Sequence, residues 1–321
     1  MRDVQVAVVG AGPAGLSAAL AAARAGARTA LFDEHVRLGG QLRYRITELA
    51  LPGYDLPVRP FALATELVGD AFAAGVDVHA GALAWGLFRD NTLGVIEDDA
   101  SYQVRAERII LATGSTDLPF PFAGGSLSGV LTARGAQILM NEHRVLPGTR
   151  FVVLGGGPEA SEVAADIRLA GGEVVAIFDP KGDGNAVEAA GERGIASVAL
   201  QGRAHAADVA VLALGRQPDA ALALMAECAA DYAADFGGWV PVRDDCLQTT
   251  IPGIYAAGDD AGTCDVAVAL AEGKLAGLCA AASLKPIDEA LLREARAAYE
   301  AIAGARIAAA RRLRPIYVQG G

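Results

Sequence analysis

The sequence predicts an α/β protein with two three-layer βαβ domains, of which the second is shortened and inserted into the first. One observation is a glycine-rich turn, Gly10-Ala11-Gly12-Pro13-Ala14-Gly15, between an apolar strand and an Ala/Leu-rich helix. A second is the repeat of this pattern about 145 residues later, at Gly155-Gly156-Gly157-Pro158. The third is a strand and turn near the end, Ile254-Tyr255-Ala256-Ala257-Gly258-Asp259, which predicts a return to the first domain.

These observations divide the chain into three predicted regions. Residues 1–116 and 245–285 form the first domain, residues 117–244 the inserted domain, and residues 286–321 a helical tail. With 321 residues, of which 53% are hydrophobic, the chain is long and apolar enough for two ordinary domains with real cores.

Composition limits the function classes. A net charge of −11 argues against nucleic acid as a partner, because phosphates require a basic face. One basic stretch, comprising Arg306, Arg311, Arg312 and Arg314, is interpreted as a solvated tail or docking face. The sequence predicts neither a membrane span nor a signal peptide, so a cytoplasmic location is expected.

The first glycine turn has the properties of a pyrophosphate-binding loop. Gly10 permits a tight turn, Gly12 lets the backbone approach a phosphate, and Gly15 lets the helix pack closely on the strand. The helix that follows directs its N–H groups at the phosphates, and an acid about twenty residues later suits a ribose hydroxyl. This order favours a Rossmann-like dinucleotide site over a simple packing turn. Its expected contacts are Gly10, Gly12, Pro13, Ala14, Gly15, Asp33 and Glu34.

The second turn begins a shorter version of the same fold. Asp208 comes 29 positions after Asp179, at the start of the next strong strand. This glycine-dense interval predicts an antiparallel meander, at about residues 186–189 and 196–200, because a crossover helix needs about a dozen residues or more. The inserted domain is therefore expected to lack a helix and a parallel strand on which a nicotinamide would rest.

A second nucleotide would contact Gly155, Gly157, Pro158, Glu159 and Asp179. The acid at residue 179 disfavours a 2′-phosphate, so NADPH is not expected. NADH, another adenine nucleotide and an empty site remain open, and a vestigial or mononucleotide site is favoured over a working NADH site.

The cysteines and histidines provide no obvious catalytic group. Cysteines at 228, 246, 264 and 279 form no CxxC or other close pair in sequence, so they are expected to be buried apolar side chains rather than metal ligands. Disulfide exchange is not expected either, because it needs two neighbouring thiols. The histidines lie in unrelated segments, so the catalytic residues are unknown.

The motifs resemble the pyridine-nucleotide-disulfide oxidoreductase superfamily, which includes the thioredoxin reductases. The likeness lies in Gly10–Gly15, Gly39-Gly40-Gln41-Leu42, Ala112-Thr113-Gly114 and Gly258-Asp259. Residues 129–137, 144–148 and 237–243 are further similar to the FAD-binding subunits of multi-subunit amino-acid and opine dehydrogenases. Examples are opine oxidase, hydroxyproline dehydrogenase and hydrogen cyanide synthase.

This resemblance implies FAD as the cofactor. Asp259 would accept a hydrogen bond from a ribitol hydroxyl, and the helix at residues 266–280 would direct its N-terminus at the flavin pyrimidine. Besides those of the first turn, the expected FAD contacts are Gly39, Gly40, Gln41, Leu42, Ala84, Ala112, Thr113, Gly114, Gly258, Asp259, Val266 and Ala267.

The resemblance also implies partner chains. Related complexes contain a glycine-oxidase-type flavoprotein subunit that oxidises the amine, and some hold NAD or ATP in the second site with FMN at a subunit interface. Many relatives continue into a cysteine-rich [2Fe-2S] domain, so an iron–sulfur subunit or another electron acceptor is expected here.

The leading hypothesis is therefore an FAD-dependent electron-transfer subunit of an amine, amino-acid or opine dehydrogenase. The first alternative is a stand-alone NADH:acceptor flavin reductase of thioredoxin-reductase shape without a redox disulfide. The second alternative is a nucleotide-binding scaffold subunit.

Overall fold

The computed structural model describes residues 2–88, 90–182 and 186–313, which form two compact units. Unit 1 comprises the described residues of Met1–Arg43, Glu48–Ser115 and Gln217–Gly321, and unit 2 comprises those of Tyr44–Thr47 and Thr116–Arg216. The sequence assigned residues 217–244 to the insertion, whereas the structure groups them with unit 1. The reason is that Leu222 and Cys228 pack into the core of the first sheet.

Two groups of elements build the chain. In chain order, the strands are β1 Arg2–Val9, β2 Thr29–Asp33, β3 Asp77–Ala80, β4 Leu83–Phe88, β5 Thr92–Glu97, β6 Ala100–Leu111, β7 Ser115–Asp117, β8 Val130–Thr132, β9 Arg150–Leu154, β10 Glu173–Phe178, β11 Val187–Ala190, β12 Ser197–Leu200, β13 Arg203–Ala206, β14 Val209–Leu212, β15 Arg216–Pro218, β16 Ala230–Ala233, β17 Gly238–Pro241 and β18 Ile254–Ala256. The α-helices are α1 Pro13–Arg24, α2 Pro60–Ala73, α3 Ala133–Gln137, α4 Pro158–Leu169, α5 Ala221–Met225, α6 Val266–Ala282 and α7 Glu289–Ala310.

Unit 1 is built on one sheet with the strand order β3-β2-β1-β6-β5-β4, and β18 pairs with β6. Strands β1, β2, β3, β6 and β18 are parallel to one another, whereas β4 and β5 form an antiparallel excursion. From the sequence alone, the apolar run at residues 108–113 predicts a strand, and β6 in fact begins earlier, at Ala100. Its first half alternates exposed and buried positions, because it pairs with β5 at the edge of the core.

Helices α1 and α6 pack backbone against backbone under this sheet. A Cβ on Gly273 or Gly277 of α6 would overlap the carbonyl oxygens of Ala14 and Ala18 in α1. Helix α1 ends at a glycine: Gly26 has φ +84° and donates its N–H to Ala23 O. The close contact fixes the start of α1 against α6.

Unit 2 contains a four-stranded parallel sheet with the order β10-β9-β14-β8. A complete dinucleotide-binding fold would continue here with a helix and a parallel strand. The chain instead forms the antiparallel sheet β11-β12-β13. The predicted meander is confirmed, and β13 is a third strand that the sequence did not predict. Residues 183–185, part of the predicted turn region, lie outside the described residues.

The C-terminal region is the helix α7, with non-helical backbone angles at Ala303. Residues 314–321, the last part of the predicted helical tail, lie outside the described residues. Over the part of the chain that the structure describes, no helix combines the length and apolar character that crossing a bilayer requires.

Candidate functional site

The first glycine turn is shaped by contacts that only glycine permits. Gly10 has φ +99°, and a Cβ there would overlap Ala112 O, while a Cβ on Gly15 would overlap Gly10 O. Gly12 is the N-cap of α1 and faces open space, since the nearest atom to a Cβ there is the Cα of Gly40 at 4.0 Å. The turn is therefore closed toward the sheet and open on the side where the N–H groups of α1 begin.

The acid at the end of β2, Asp33, contacts this turn directly. Asp33 Oδ2 accepts a hydrogen bond from Ala11 N at 2.6 Å, and Asp33 Oδ1 accepts one from His35 N at 2.8 Å. Glu34 is exposed, with 61% of its side chain accessible. Asp33 thus fixes the loop, which leaves the Glu34 carboxylate as the side chain available to a ribose.

Ala84, one of the FAD contacts predicted from the sequence, lies in β4, where it pairs with Val95. The backbone that adjoins the acid is two residues earlier, where Ala82 N donates to Asp33 O at 2.8 Å.

The second glycine pair joins the first turn to the end of the chain. A Cβ on Gly40 would come within 2.8 Å of the Gly12 Cα, and Gly39 N donates to Ala11 O at 2.8 Å. Gln41 Nε2 in turn donates to Asp259 Oδ2 at 2.6 Å, while Leu42 is fully buried. The fold therefore brings the predicted N-terminal and C-terminal residues to one place.

Asp259 is buried and accepts several hydrogen bonds. Ser115 Oγ donates to its Oδ2 at 2.8 Å and Cys264 N donates to its Oδ1 at 2.8 Å. The preceding residue, Gly258, has φ +78°, and a Cβ there would lie 2.7 Å from the Ala14 Cβ. This packing holds the turn at residues 258–261 against the first turn of α1.

The N-terminus of α6 follows this turn. Asp265 caps the helix by accepting a hydrogen bond from Val268 N at 2.8 Å, so the helix begins at Val266 as predicted. Val266 is buried and Ala267 is half-buried. The free N–H groups of this first turn form a partly positive site.

Thr113 contacts the protein interior rather than open space. Its Oγ1 lies 2.7 Å from Asp219 O and 2.9 Å from Asp260 Oδ1. Gly114, with φ +86°, has no atom within 4 Å of a Cβ position and its carbonyl accepts from Asp219 N. Thr113 thus stabilises the loop, and the open position belongs to Gly114.

Asp260, which the sequence did not identify, is fully buried, and its Oδ2 has no hydrogen-bond partner among the described residues. Burial raises the pKa of Asp260 to about 7, against the opposing effect of the Thr113 hydroxyl. Because this carboxyl has a higher pKa in the folded than in the unfolded state, its protonated form favours folding. That contribution is present below about pH 4 and is lost as the pH rises through about 7.

We therefore expect Asp260→Asn to remove part of the pH dependence of stability. Between about pH 5 and pH 8 the parent should lose about 2 kcal/mol of unfolding free energy more than the variant does. Urea unfolding at both pH values measures this difference. Asp55→Asn is the control, because Asp55 is exposed. Identical pH profiles for parent and Asp260→Asn would contradict the assignment.

A buried ionic cluster supports the same turn from the other side. Glu272 of α6 is fully buried and accepts from Arg243 at 3.0 Å, from Arg306 Nε at 2.8 Å and from the backbone N of Gly258 at 2.8 Å. Tyr299 OH also donates to Glu272, at 2.7 Å. The cluster links α6 and α7 to the turn after β18.

The interpretation of the basic stretch as a solvated tail is wrong for Arg306, whose side chain is largely buried. Its side chain is only 10% exposed, and Nη2 donates to Gly262 O at 2.7 Å and approaches Gly258 O and Ala261 O. Arg311 and Arg312 are exposed, in agreement with that interpretation. The charge of Glu272 within an apolar helix was the one sequence signal for a buried basic partner.

The glycine turn of unit 2 has a similar backbone but a different acid arrangement. A Cβ on Gly155 would overlap Ala213 O, and Gly157 caps α4, with Pro158 in its first turn. A Cβ on Gly156 would overlap the Asp179 carboxylate. Glu159 Oε2 accepts from Gly215 N at 3.0 Å, and burial raises the pKa of Glu159. An anion here would face two nearby carboxylates.

The four cysteines are free thiols. Cys228 and Cys279 are buried, and Cys246 and Cys264 are half-buried.

Comparisons with known proteins identify the family of this chain. The sequence matches the family described as "Pyridine nucleotide-disulphide oxidoreductase" over residues 4–180 and 183–273. It is 30% identical to an opine oxidase subunit of Agrobacterium tumefaciens (strain Ach5) over 88% of this chain and 66% of that one. It is 31% identical to the hydrogen cyanide synthase subunit HcnB of Pseudomonas protegens over 54% of this chain and 37% of that one.

Among solved structures, the crystal structure of L-proline dehydrogenase from P. horikoshii is similar, with a TM-score of 0.78 and 27% identity. The match covers 91% of this chain and 59% of that chain. This chain thus spans about two thirds or less of the length of these relatives. It belongs to the pyridine nucleotide-disulphide oxidoreductase family, which confirms the predicted superfamily, the α/β fold class and the oxidoreductase assignment.

Proposed function

We propose that the chain binds FAD in unit 1 and is the electron-transfer subunit of a multi-subunit amine, amino-acid or opine dehydrogenase. The observation that carries this proposal is the convergence of Gly12, Gly40 and Asp259 through direct packing and hydrogen bonds. FAD, when bound, supplies a two-electron carrier that can also pass electrons singly.

The residues of unit 1 fit such a group. The open side of the Gly12 turn and the first N–H groups of α1 suit a pyrophosphate, and Glu34 suits the adenosine ribose. Asp259 would hold a ribitol hydroxyl, with Gln41 and Ser115 fixing the orientation of its carboxylate. The start of α6 would stabilise negative charge on the flavin.

The role of a subunit rests on two supports. Unit 2 lacks the helix and parallel strand of a complete nucleotide-binding half over its described residues, and carboxylates flank its glycine turn. We infer that it does not deliver hydride from NADH or NADPH, and that NAD or ATP there would be structural. In addition, two of the relatives are named as subunits of opine oxidase and hydrogen cyanide synthase.

By the same likeness we propose the partner classes. A glycine-oxidase-type flavoprotein subunit would oxidise the amine, with FMN between the subunits, and an iron–sulfur subunit or another acceptor would take the electrons. Co-expression with the neighbouring genes and native mass measurement test this proposal. A heteromer that oxidises an amino acid or opine supports it, and an active monomer contradicts it.

Asp259→Ala tests the cofactor site. We expect about tenfold weaker FAD retention, and a stability loss of about 1 to 3 kcal/mol because Gln41, Ser115 and Cys264 lose their acceptor. Flavin content after gel filtration and urea unfolding measure the two effects.

Asp288→Ala is the matched control for that variant. It removes the N-cap of α7, where Asp288 accepts from Ala290 N, and costs about 1 kcal/mol. It should retain FAD like the parent. Equal flavin content in Asp259→Ala and Asp288→Ala would contradict the role of Asp259.

A further inference from the structure

The Thr113 hydroxyl lies between two oxygen atoms that both need a hydrogen-bond donor. Its Oγ1 is 2.7 Å from the backbone oxygen of Asp219 and 2.9 Å from Oδ1 of Asp260. A hydroxyl has one proton to donate, and a backbone carbonyl can only accept. The shorter contact is therefore a hydrogen bond from Thr113 to Asp219 O, which leaves only the lone pairs of Oγ1 for Asp260.

The contact between Thr113 and Asp260 is favourable when Asp260 carries a proton. A neutral carboxyl group can donate from Oδ1 to Thr113 Oγ1, whereas an ionised one would place two acceptors 2.9 Å apart. Thr113 can turn its proton to an ionised Asp260 only by giving up Asp219 O. The other carboxyl oxygen, Oδ2, is buried without a hydrogen-bond partner among the described residues, which costs more for a carboxylate than for a neutral acid. Both oxygens thus favour the neutral form.

The charges around Asp260 act in the same direction on balance. Burial is the main cause that raises its pKa to about 7, and the carboxylates of Asp219 and Glu272 also raise it. Arg243 lowers it, but this guanidinium is hydrogen-bonded to Glu272. The Cys228 thiol also lies near Asp260, and burial raises the pKa of Cys228, so the thiol carries no charge at neutral pH.

This carboxyl group adjoins the turns that we propose bind FAD. Asp260 directly follows Asp259 in the turn at residues 258–261. Thr113 lies against the first glycine turn, since a Cβ on Gly10 would come within 3.2 Å of Thr113 N. Because Asp260 is fully buried, a charge on it acts on these turns with little screening by solvent.

We propose that Asp260 is a proton-binding site whose neutral form donates from Oδ1 to Thr113 Oγ1, and that it takes up a proton when electrons enter unit 1. The second part rests on the proposed function. Electrons that reach FAD from the amine-oxidising partner bring negative charge close to Asp260, which raises its affinity for a proton. An ionised Asp260 then takes one proton from the solvent to become a carboxylic acid, and no bond to FAD forms or breaks. Asp260 therefore acts through its charge, without contact with the flavin.

Infrared spectroscopy of the full chain tests the proton site whether or not FAD is bound. The C=O stretch of a buried, neutral carboxyl group should lose intensity as the pH rises through about 7, and Asp260→Asn should remove this band. Asp55→Asn, at an exposed position, is the control and should keep it. A titrating band that remains in Asp260→Asn, or a parent without such a band, would overturn the proposal.

Thr113→Val tests the direction of the hydrogen bond. If neutral Asp260 donates to Thr113, the loss of Oγ1 should weaken proton binding by about two- to tenfold and lower the midpoint of the infrared titration. If Thr113 instead donates to an ionised Asp260, the same change raises the midpoint, which would contradict the proposal. Thr113→Ser keeps the hydroxyl and should have the midpoint of the parent.

Redox titration with dithionite at several pH values tests the link to FAD. Below about pH 6 the parent and Asp260→Asn should have similar FAD potentials, since both have a neutral side chain there. Above about pH 7 the potential of the parent should fall more steeply with pH, because reduction then brings one more proton into the parent. Parallel curves over the whole range would overturn the link. A chain that retains no FAD would contradict the proposed function instead, and the infrared result would then decide the proton site.

Discussion

Replacing Glu272 with alanine is expected to lower the free energy of unfolding by about 3 to 5 kcal/mol. The carboxylate is fully buried, and Arg243 and Arg306, whose side chains are 5% and 10% exposed, would each keep a buried charge without it. Burial alone would raise the pKa of Glu272, but the two arginines outweigh it and lower the pKa to about 2. The carboxylate is therefore ionised in the folded protein at neutral pH.

The same change should also weaken FAD binding, because Glu272 accepts from Gly258 N and positions Arg306 on the carbonyls of residues 258 and 261–263. Since the pKa is lower in the folded state, the stabilisation is present above about pH 4.5 and is lost as the pH falls toward 2. Urea unfolding with and without added FAD measures both effects. Glu289→Ala is the control, because that side chain is 87% exposed. A loss under about 1 kcal/mol for Glu272→Ala would contradict the role of the cluster.

Gly273→Ala should lower the stability nearly as much as Glu272→Ala, although it adds a single methyl group. The new Cβ would overlap Ala14 O and come within 2.8 Å of the Ala14 carbonyl carbon, and neither atom can rotate away. Helix α6 must move from α1, which costs about 3 kcal/mol and displaces the first turn of α1, which we propose binds the pyrophosphate. The free energy of unfolding, measured with urea, and the flavin content should both fall.

Gly69→Ala in α2 is the matched control for this glycine. Nothing lies within 4 Å of a Cβ at Gly69, so the substitution should stabilise the protein by about 0.5 to 1 kcal/mol through helix propensity. If both variants were stabilised, the α1–α6 contact would not be as close as described.

The predictable part of the fold is the part encoded locally. Gly10, Gly15 and Gly155 stand where the backbone itself excludes a Cβ, so the strand–turn–helix pattern could be read from short segments. The meander was predictable because glycine-dense sequence cannot form a crossover helix. The start of β6 was missed, because its first half alternates apolar and polar residues at the edge of the core.

The unpredicted part of the site consists of long-range polar contacts. The sequence indicated Asp259 but contained no sign that the adjacent Asp260 is buried against Thr113. The charge of Glu272 within an apolar helix did not identify Arg306 as its partner. Such contacts have no period or spacing in sequence, so they require the folded chain.

The most direct test of an FAD site in unit 1 is the spectrum of the purified chain before and after NADH and NADPH are added without oxygen. We predict a flavin spectrum, FAD released on heating at about one per chain, and no rapid bleaching by either nucleotide. A colourless adenine nucleotide in place of FAD would contradict the proposed site in unit 1. Bleaching within the mixing time would contradict the inference that unit 2 cannot deliver a hydride.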